Sequence, residues 1–165
     1  MDETLAVINT LEAEGVIGKY AIGGAVALLF YAEPTTTYYL DIFCYRPQTQ
    51  SGLINIGPLY DYLSQRGYKS EGEHISIEGI PVQFLPPPTE LVKESLENAA
   101  DKQVNGVPTR VFDYEYLLAI MVETGRPKDR SRITDVLESA KPDPNKLDEI
   151  LKRYGLLDRW SKIVT

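Results

Sequence analysis

The sequence predicts an α/β (α+β) fold, a small mixed β-sheet flanked by helices and followed by a helical C-terminal part. Three observations carry this. Strand-like and helix-like runs interleave through the first two thirds of the chain. Two hairpin patterns occur there, around Glu78-Gly79 and Asn105-Gly106, and Asn-Gly is the strongest short hairpin signal. Beyond about residue 113 the strand signals stop, and helical periodicity is interrupted only by Gly and Pro.

Leu5, Ile8 and Leu11 recur at helical spacing, so residues 3–14 should form a helix ending near Gly15. Residues 20–22 read as a short strand entering Gly23-Gly24, and residues 25–32 as an apolar helix. Pro34 and the threonines 35–37 form a loop before a strand over 38–45. Residues 59–65 are helical and stop at Gly67. The first hairpin pairs 74–77 with 80–85, and the second pairs 102–104 with 107–111. Between them the prolines 86–88 end a strand, and Thr89 can cap a helix running to about Ala99. Asp113 is a suitable N-cap for a helix over 114–124, with Tyr114, Leu117, Leu118 and Met121 on one face. Gly125 and Pro127 stop it, 128–139 makes another, and Pro142 and Pro144 precede two short closing helices. The layout is one domain over 1–165, with a core of about 15–112 and a helical part of about 113–165.

Composition narrows the function classes. At 165 residues the chain suits one domain with a real core. No apolar run approaches the ~18 residues that span a bilayer. The N-terminal residues are acidic and amphipathic, unlike a secretory leader. The single cysteine, Cys44, has no internal partner, so a cytoplasmic protein is expected. The net charge of −7 argues against a general nucleic-acid-binding surface. The imbalance is uneven: residues 141–165 carry six basic against four acidic side chains, leaving −9 on the remainder.

The alternation of strand side chains locates the chemistry. Leu40, Ile42 and Cys44 should face the core, with Tyr39, Asp41, Phe43 and Tyr45 on the other side. Ile80, Val82 and Phe84 form the apolar face of the later strand, with Gln83 opposite. If the two strands are neighbours, Asp41 and Gln83 share one side of the sheet. Gly23-Gly24 then sits beside them at a helix start, whose free amides suit an anion. Each piece also has a plain reading: Gly-Gly as a tight turn, Asp41 as a surface charge, and Lys128 and Arg132 as a solvated helix face. The tyrosines 31, 38, 39 and 45 could stack on a base or simply pack. His74 reads as a surface residue at a strand start. No GxGxxG follows a strand and no GxxxxGK[ST] occurs, which removes the Rossmann and P-loop readings.

Gly23-Gly24, Ala27-Leu28, residues 31–34, Thr37 and Asp41-Ile42-Phe43 together resemble the opening of minimal nucleotidyltransferases of the DNA polymerase beta-like superfamily. The resemblance is to the small prokaryotic members, some of them toxin–antitoxin or abortive-infection components. It continues at 79–86, 115–120 and 125–130 and at Arg132-Ile133, covering roughly residues 15–140. It implies transfer of a nucleoside monophosphate from a nucleoside triphosphate to a hydroxyl acceptor of unstated identity. It implies that Gly23 and Gly24 hold the triphosphate and that the basic residues Lys128 and Arg132 either reach toward its phosphates or fix the C-terminal helices. It also implies two Mg²⁺ ions bound by two acids one residue apart and a third on a neighbouring strand.

The chain departs from that pattern at the metal. Tyr39 stands at the first acid position, Asp41 at the second and Gln83 at the third. Two divalent ions ~4 Å apart need anionic ligands between and around them. One carboxylate implies a weakened Mg²⁺ site with Asp41 as its catalytic and metal-binding residue. Three readings follow: a nucleotide-binding protein with weak transferase activity, an inactive binding module acting through a protein partner, and an enzyme completed by acids from elsewhere. Glu33, Glu73 and Asp113 are the acids available for the last.

Overall fold

The computed structural model describes residues 1–33, 37, 39–46 and 57–165. Its chain order is α1 (Asp2–Ala13), β1 (Tyr20–Gly23), α2 (Gly24–Leu28), β2 (Leu40–Cys44), α3 (Gly57–Gln65), β3 (Ser70–Glu71), β4 (His74–Ile77) and β5 (Ile80–Leu85). It continues with α4 (Glu90–Glu97), β6 (Ala100–Val104), β7 (Val107–Val111), α5 (Tyr114–Thr124), α6 (Pro127–Ser139), α7 (Pro144–Arg153) and α8 (Leu157–Val164). The α/β class with a helical C-terminal part is as predicted. Pro34–Thr36, Tyr38 and the stretch 47–56 lie outside the described residues.

The seven strands form one mixed sheet in the order β3-β4-β5-β2-β1-β7-β6. The two hairpins flank a central pair, β2 and β1. β1 runs antiparallel to β2 and parallel to β7, and β2 runs parallel to β5. The buried–half-buried alternation of β2 is the one the sequence predicts, with Leu40, Ile42 and Cys44 fully buried. Burial pushes the Cys44 thiol up to about 11, which suits a packing role and not a nucleophilic one. On α1, Leu5, Ile8 and Leu11 are fully buried, and the helix is tied to the sheet by Thr4, which donates to the Ile77 carbonyl at 3.0 Å, by Asn9, which donates to the Pro108 carbonyl at 2.8 Å, and by a clamp at Glu12. Both guanidinium ends of Arg110 on β7 donate to Glu12 at 2.8 Å, and the Tyr20 amide donates to the same carboxylate at 3.1 Å.

Three elements differ from expectation. The helix predicted over 25–32 is α2, only Gly24–Leu28, and the chain continues through turns in which Leu29, Phe30 and Tyr31 amides donate three residues back. β3 has no sequence signature, being two exposed residues paired at the sheet edge. α5 is buried nearly all round, beyond the single face the sequence suggests, because α2, α4, α6 and α7 all pack on it. Gly125 closes α5 in the left-handed conformation, at φ 65°. Among the described residues, no helix is long and apolar enough to cross a membrane.

Candidate functional site

The pairing of the central strands sets three predicted site positions in one row. Gly23 on β1 lies opposite Asp41 on β2, and Asp41 lies opposite Gln83 on β5. All three sit toward the end where β1 turns into α2. Gly24 begins that helix at φ 64°, a conformation that costs other residues about 1–2 kcal/mol. Its lack of a side chain has a second use, since a Cβ there would collide with the Asp41 carboxylate. At Gly23 a Cβ would stand 2.6 Å from the Phe43 ring and 3.0 Å from Phe112. The two glycines therefore let the turn close directly onto Asp41 and the Phe43–Phe112 stack, whose centroids are 5.2 Å apart.

Asp41 and Gln83 of this row floor a cavity of about 730 Å³ on the Asp41 face of the sheet, whereas Gly23 does not line it. α2 supplies Gly24, Ala25 and Leu28, α4 supplies Val92, and α5 supplies Leu117, Ile120, Met121, Glu123 and Thr124. The start of α6 closes one side with Lys128, Asp129 and Arg132, and Arg126 lies just before it. The cavity thus has an apolar wall from α5 and a basic wall from α6. The predicted pair Lys128 and Arg132 both reach it, as their four-residue spacing requires.

Arg126 is a lining residue that sequence reasoning left unassigned. Its Nε and Nη2 donate to the two oxygens of Asp129 at 2.7 and 3.1 Å. The Arg126 amide also donates to Asp129, at 3.2 Å. Asp129 is buried, so its charge is spent on Arg126 and the helix start. The signal was present in Arg126-Pro127-Lys128-Asp129, where Pro at the first helical position and an acid three residues after the cap mark a helix entry.

The Asp41 carboxylate accepts no hydrogen bond from any described residue. Burial raises its pKa above the usual carboxylate range, while His74, Arg126, Arg132 and Lys128 pull it back down. The other acids of the cavity are engaged: Glu123 accepts from Thr89 at 2.9 Å, and Asp129 is paired as described. Asp41 is therefore an acid in a basic pocket.

Tyr39 and His74 stand at the mouth. Their rings stack with centroids 4.0 Å apart and planes 19° from parallel, and Tyr39 is 49% exposed. His74, read from sequence as a surface residue, lines the cavity. Gln83 also lines it, and its amide donates to Glu73 at 3.4 Å. Of the other tyrosines, Tyr31 stacks on Tyr114, and the Tyr45 hydroxyl donates to Glu97, so neither lines the cavity. Tyr38 lies outside the described residues. The acids weighed as substitutes are placed elsewhere: Asp113 pairs with Lys146 at 2.6 Å, Glu73 with Gln83, and Glu33 is exposed near Ser139.

The donor set can be tested against the two Mg²⁺ ions implied by the sequence resemblance. Asp41 is the one carboxylate in the row, Tyr39 is turned into a ring stack, and Gln83 is an uncharged amide. Among the described residues no three His, Cys, Asp or Glu side chains gather to hold a metal ion. These residues do not fit two ions.

The fold matches solved structures over nearly its whole length. It superposes on an antigenic nucleotidyltransferase-like protein from Paracoccidioides brasiliensis with a TM-score of 0.59 at 14% identity, covering 97% of this chain and 89% of that one. The chain has a nucleotidyltransferase-like fold. It also matches the antibiotic-resistance factor ANT(2'')-Ia. The solution structure of that protein gives a TM-score of 0.50 at 14% identity, covering 98% of this chain and 99% of the other. The crystal structure of ANT(2'')-Ia in complex with adenylyl-2''-tobramycin gives 0.52 at 13% identity, covering 94% and 98%. No protein-family model and no curated protein sequence matches the chain.

Proposed function

We propose that this nucleotidyltransferase-fold protein binds a nucleoside triphosphate in the cavity, with a metal site reduced to Asp41. The observation that carries the reading is the opposition of two anion-seeking elements across one cavity. On one side the Gly23-Gly24 turn presents the start of α2, packed against Asp41 and the Phe43–Phe112 stack, and on the other stand Arg126, Lys128 and Arg132. A triphosphate satisfies both. The α5 wall and the Phe43–Phe112 stack offer apolar surface to a base or sugar.

The same geometry limits the chemistry. Mg²⁺ commonly uses one or two carboxylates plus substrate phosphates, so Asp41 suits a single ion that arrives with the triphosphate. A two-ion mechanism lacks its ligands here, and transfer of a nucleoside monophosphate to a hydroxyl is expected to be weak. The second reading, an inactive nucleotidyltransferase-fold module working through a protein partner, as in a toxin–antitoxin pair, is favoured by one observation. The residue at the first acid position is committed to a stack with His74.

A thermal-shift series with ATP, GTP, CTP and UTP, with and without Mg²⁺, tests the binding reading. A ligand at ~100 times its Kd adds about 2.7 kcal/mol to stability. A shift with at least one triphosphate is expected, and its absence at millimolar concentration for all four would overturn the assignment. Incubation with α-labelled triphosphate then separates the two readings, since label moving to an acceptor requires a working transferase.

A further inference from the structure

A second concavity opens where the α5–α6 turn meets α8. Its volume is about 670 Å³, and Arg130, Arg159 and Lys162 line it together with Ser131 and Thr134. No carboxylate lines it. Arg130 and Lys162 make no ion pair with any described residue, and Arg159 donates to the carbonyl oxygen of Glu123 at 3.3 Å. This is unusual in a chain of net charge −7, where acids to neutralise such a cluster are plentiful. Cations gathered without counter-charges repel one another, and a concave low-dielectric surface focuses their field toward an incoming anion. The groove is also separate from the nucleotide cavity. Along α6, Lys128 and Arg132 face the cavity, Arg130 faces the groove, and Thr124 borders both.

We propose that this groove is a second anion site, for a ligand carrying two or more phosphate groups, adjoining the nucleotide cavity at Thr124. Guanidinium groups match phosphate oxygens in bidentate geometry, and Lys162 adds a point charge. The Ser131 hydroxyl supplies a neutral donor on the same surface, while that of Thr134 donates to the Arg130 carbonyl at 3.2 Å. The site stands on its own cations and does not depend on the nucleotide reading.

The test is an amide-resolved NMR titration of the full chain with inorganic tripolyphosphate, repeated for the double variant Arg130→Ala/Lys162→Ala. Neither residue belongs to the cavity. Expected are two groups of moving resonances, one at 24–28 with Arg126, Lys128 and Asp129 from the cavity and one at Val122, Thr134 and Ile163 from the groove. The double variant should weaken the groove group roughly tenfold or more while the cavity group keeps its affinity, and Arg130→Lys, which keeps the charge but not the bidentate fork, should weaken it less than Arg130→Ala does. Groove resonances that stay still in the parent chain, or move with equal affinity in the double variant, would overturn the proposal. If the cavity group alone is silent, the nucleotide reading fails and the groove stands.

Discussion

Asp41 is where charge and burial pull hardest against each other. Its raised pKa has a definite sign in the stability of the protein. A carboxylate whose folded pKa lies above its unfolded value holds its proton more tightly in the native state. Its contribution to stability is therefore greatest at acid pH and is lost as pH rises through the folded pKa. When ionised, Asp41 carries a burial cost that His74, Arg126, Arg132 and Lys128 offset only in part. Asp41→Asn should raise the melting temperature of the ligand-free protein at pH 7, with the gain vanishing at a pH below the ordinary carboxylate range. The same variant should lose the Mg²⁺-dependent part of any nucleotide-induced shift. A parallel pair of thermal melts across pH decides it, and an Asn variant less stable than the parent at pH 7 would contradict the assigned environment. At Gly24 the opposite outcome is expected. Gly24→Ala adds a Cβ to a left-handed residue and into the Asp41 carboxylate, so it should cost about 1–3 kcal/mol in denaturant unfolding and erase the nucleotide shift.

Elements carry the site through α5. Leu118 is fully buried on this helix, and neighbours on four elements leave little room for collapse. Leu118→Ala should cost about 2–5 kcal/mol in urea unfolding. The element scale also shows what was legible in advance. The alternation along 39–45 and 80–85 assigned Asp41 and Gln83 to one face, and the burial of β2 agrees. Strand adjacency was not legible, because parallel pairing between β2 and β5 is decided by packing between distant segments and leaves no local mark. The end of α2 was equally silent. Residues 25–32 are apolar throughout, and apolar character does not separate an α-helix from the tight turns that follow Leu28. His74 and Arg126 entered the site through tertiary contacts, a stack on Tyr39 and a pair with Asp129. Only the second of these had a sequence cue.

Across the whole molecule, charge separates this chain from one shaped for a cationic acceptor. The overall balance is −7, yet the cavity and the adjoining groove collect Arg126, Lys128, Arg130, Arg132, Arg159 and Lys162 on one side. The carboxylates of the cavity other than Asp41 are already bonded within the protein. A polyamine would meet exposed guanidinium and ammonium groups with only Asp41 to attract it, and like charges across a binding surface cost several kcal/mol. The nucleotidyltransferase ANT(2'')-Ia has been captured with adenylyl-2''-tobramycin, and tobramycin is a polyamine. Its fold is shared here, but the walls of this cavity favour anions. Tobramycin should therefore leave the melting temperature unchanged with or without a bound triphosphate, while tripolyphosphate raises it in a salt-dependent way. The contrast is best read at two ionic strengths. Surface electrostatics weaken as the Debye length falls from ~10 Å at 0.1 M salt to ~3 Å at 1 M, so the tripolyphosphate shift should shrink over that range. A tobramycin shift equal to that of the polyanion would mean that the basic walls do not govern what enters.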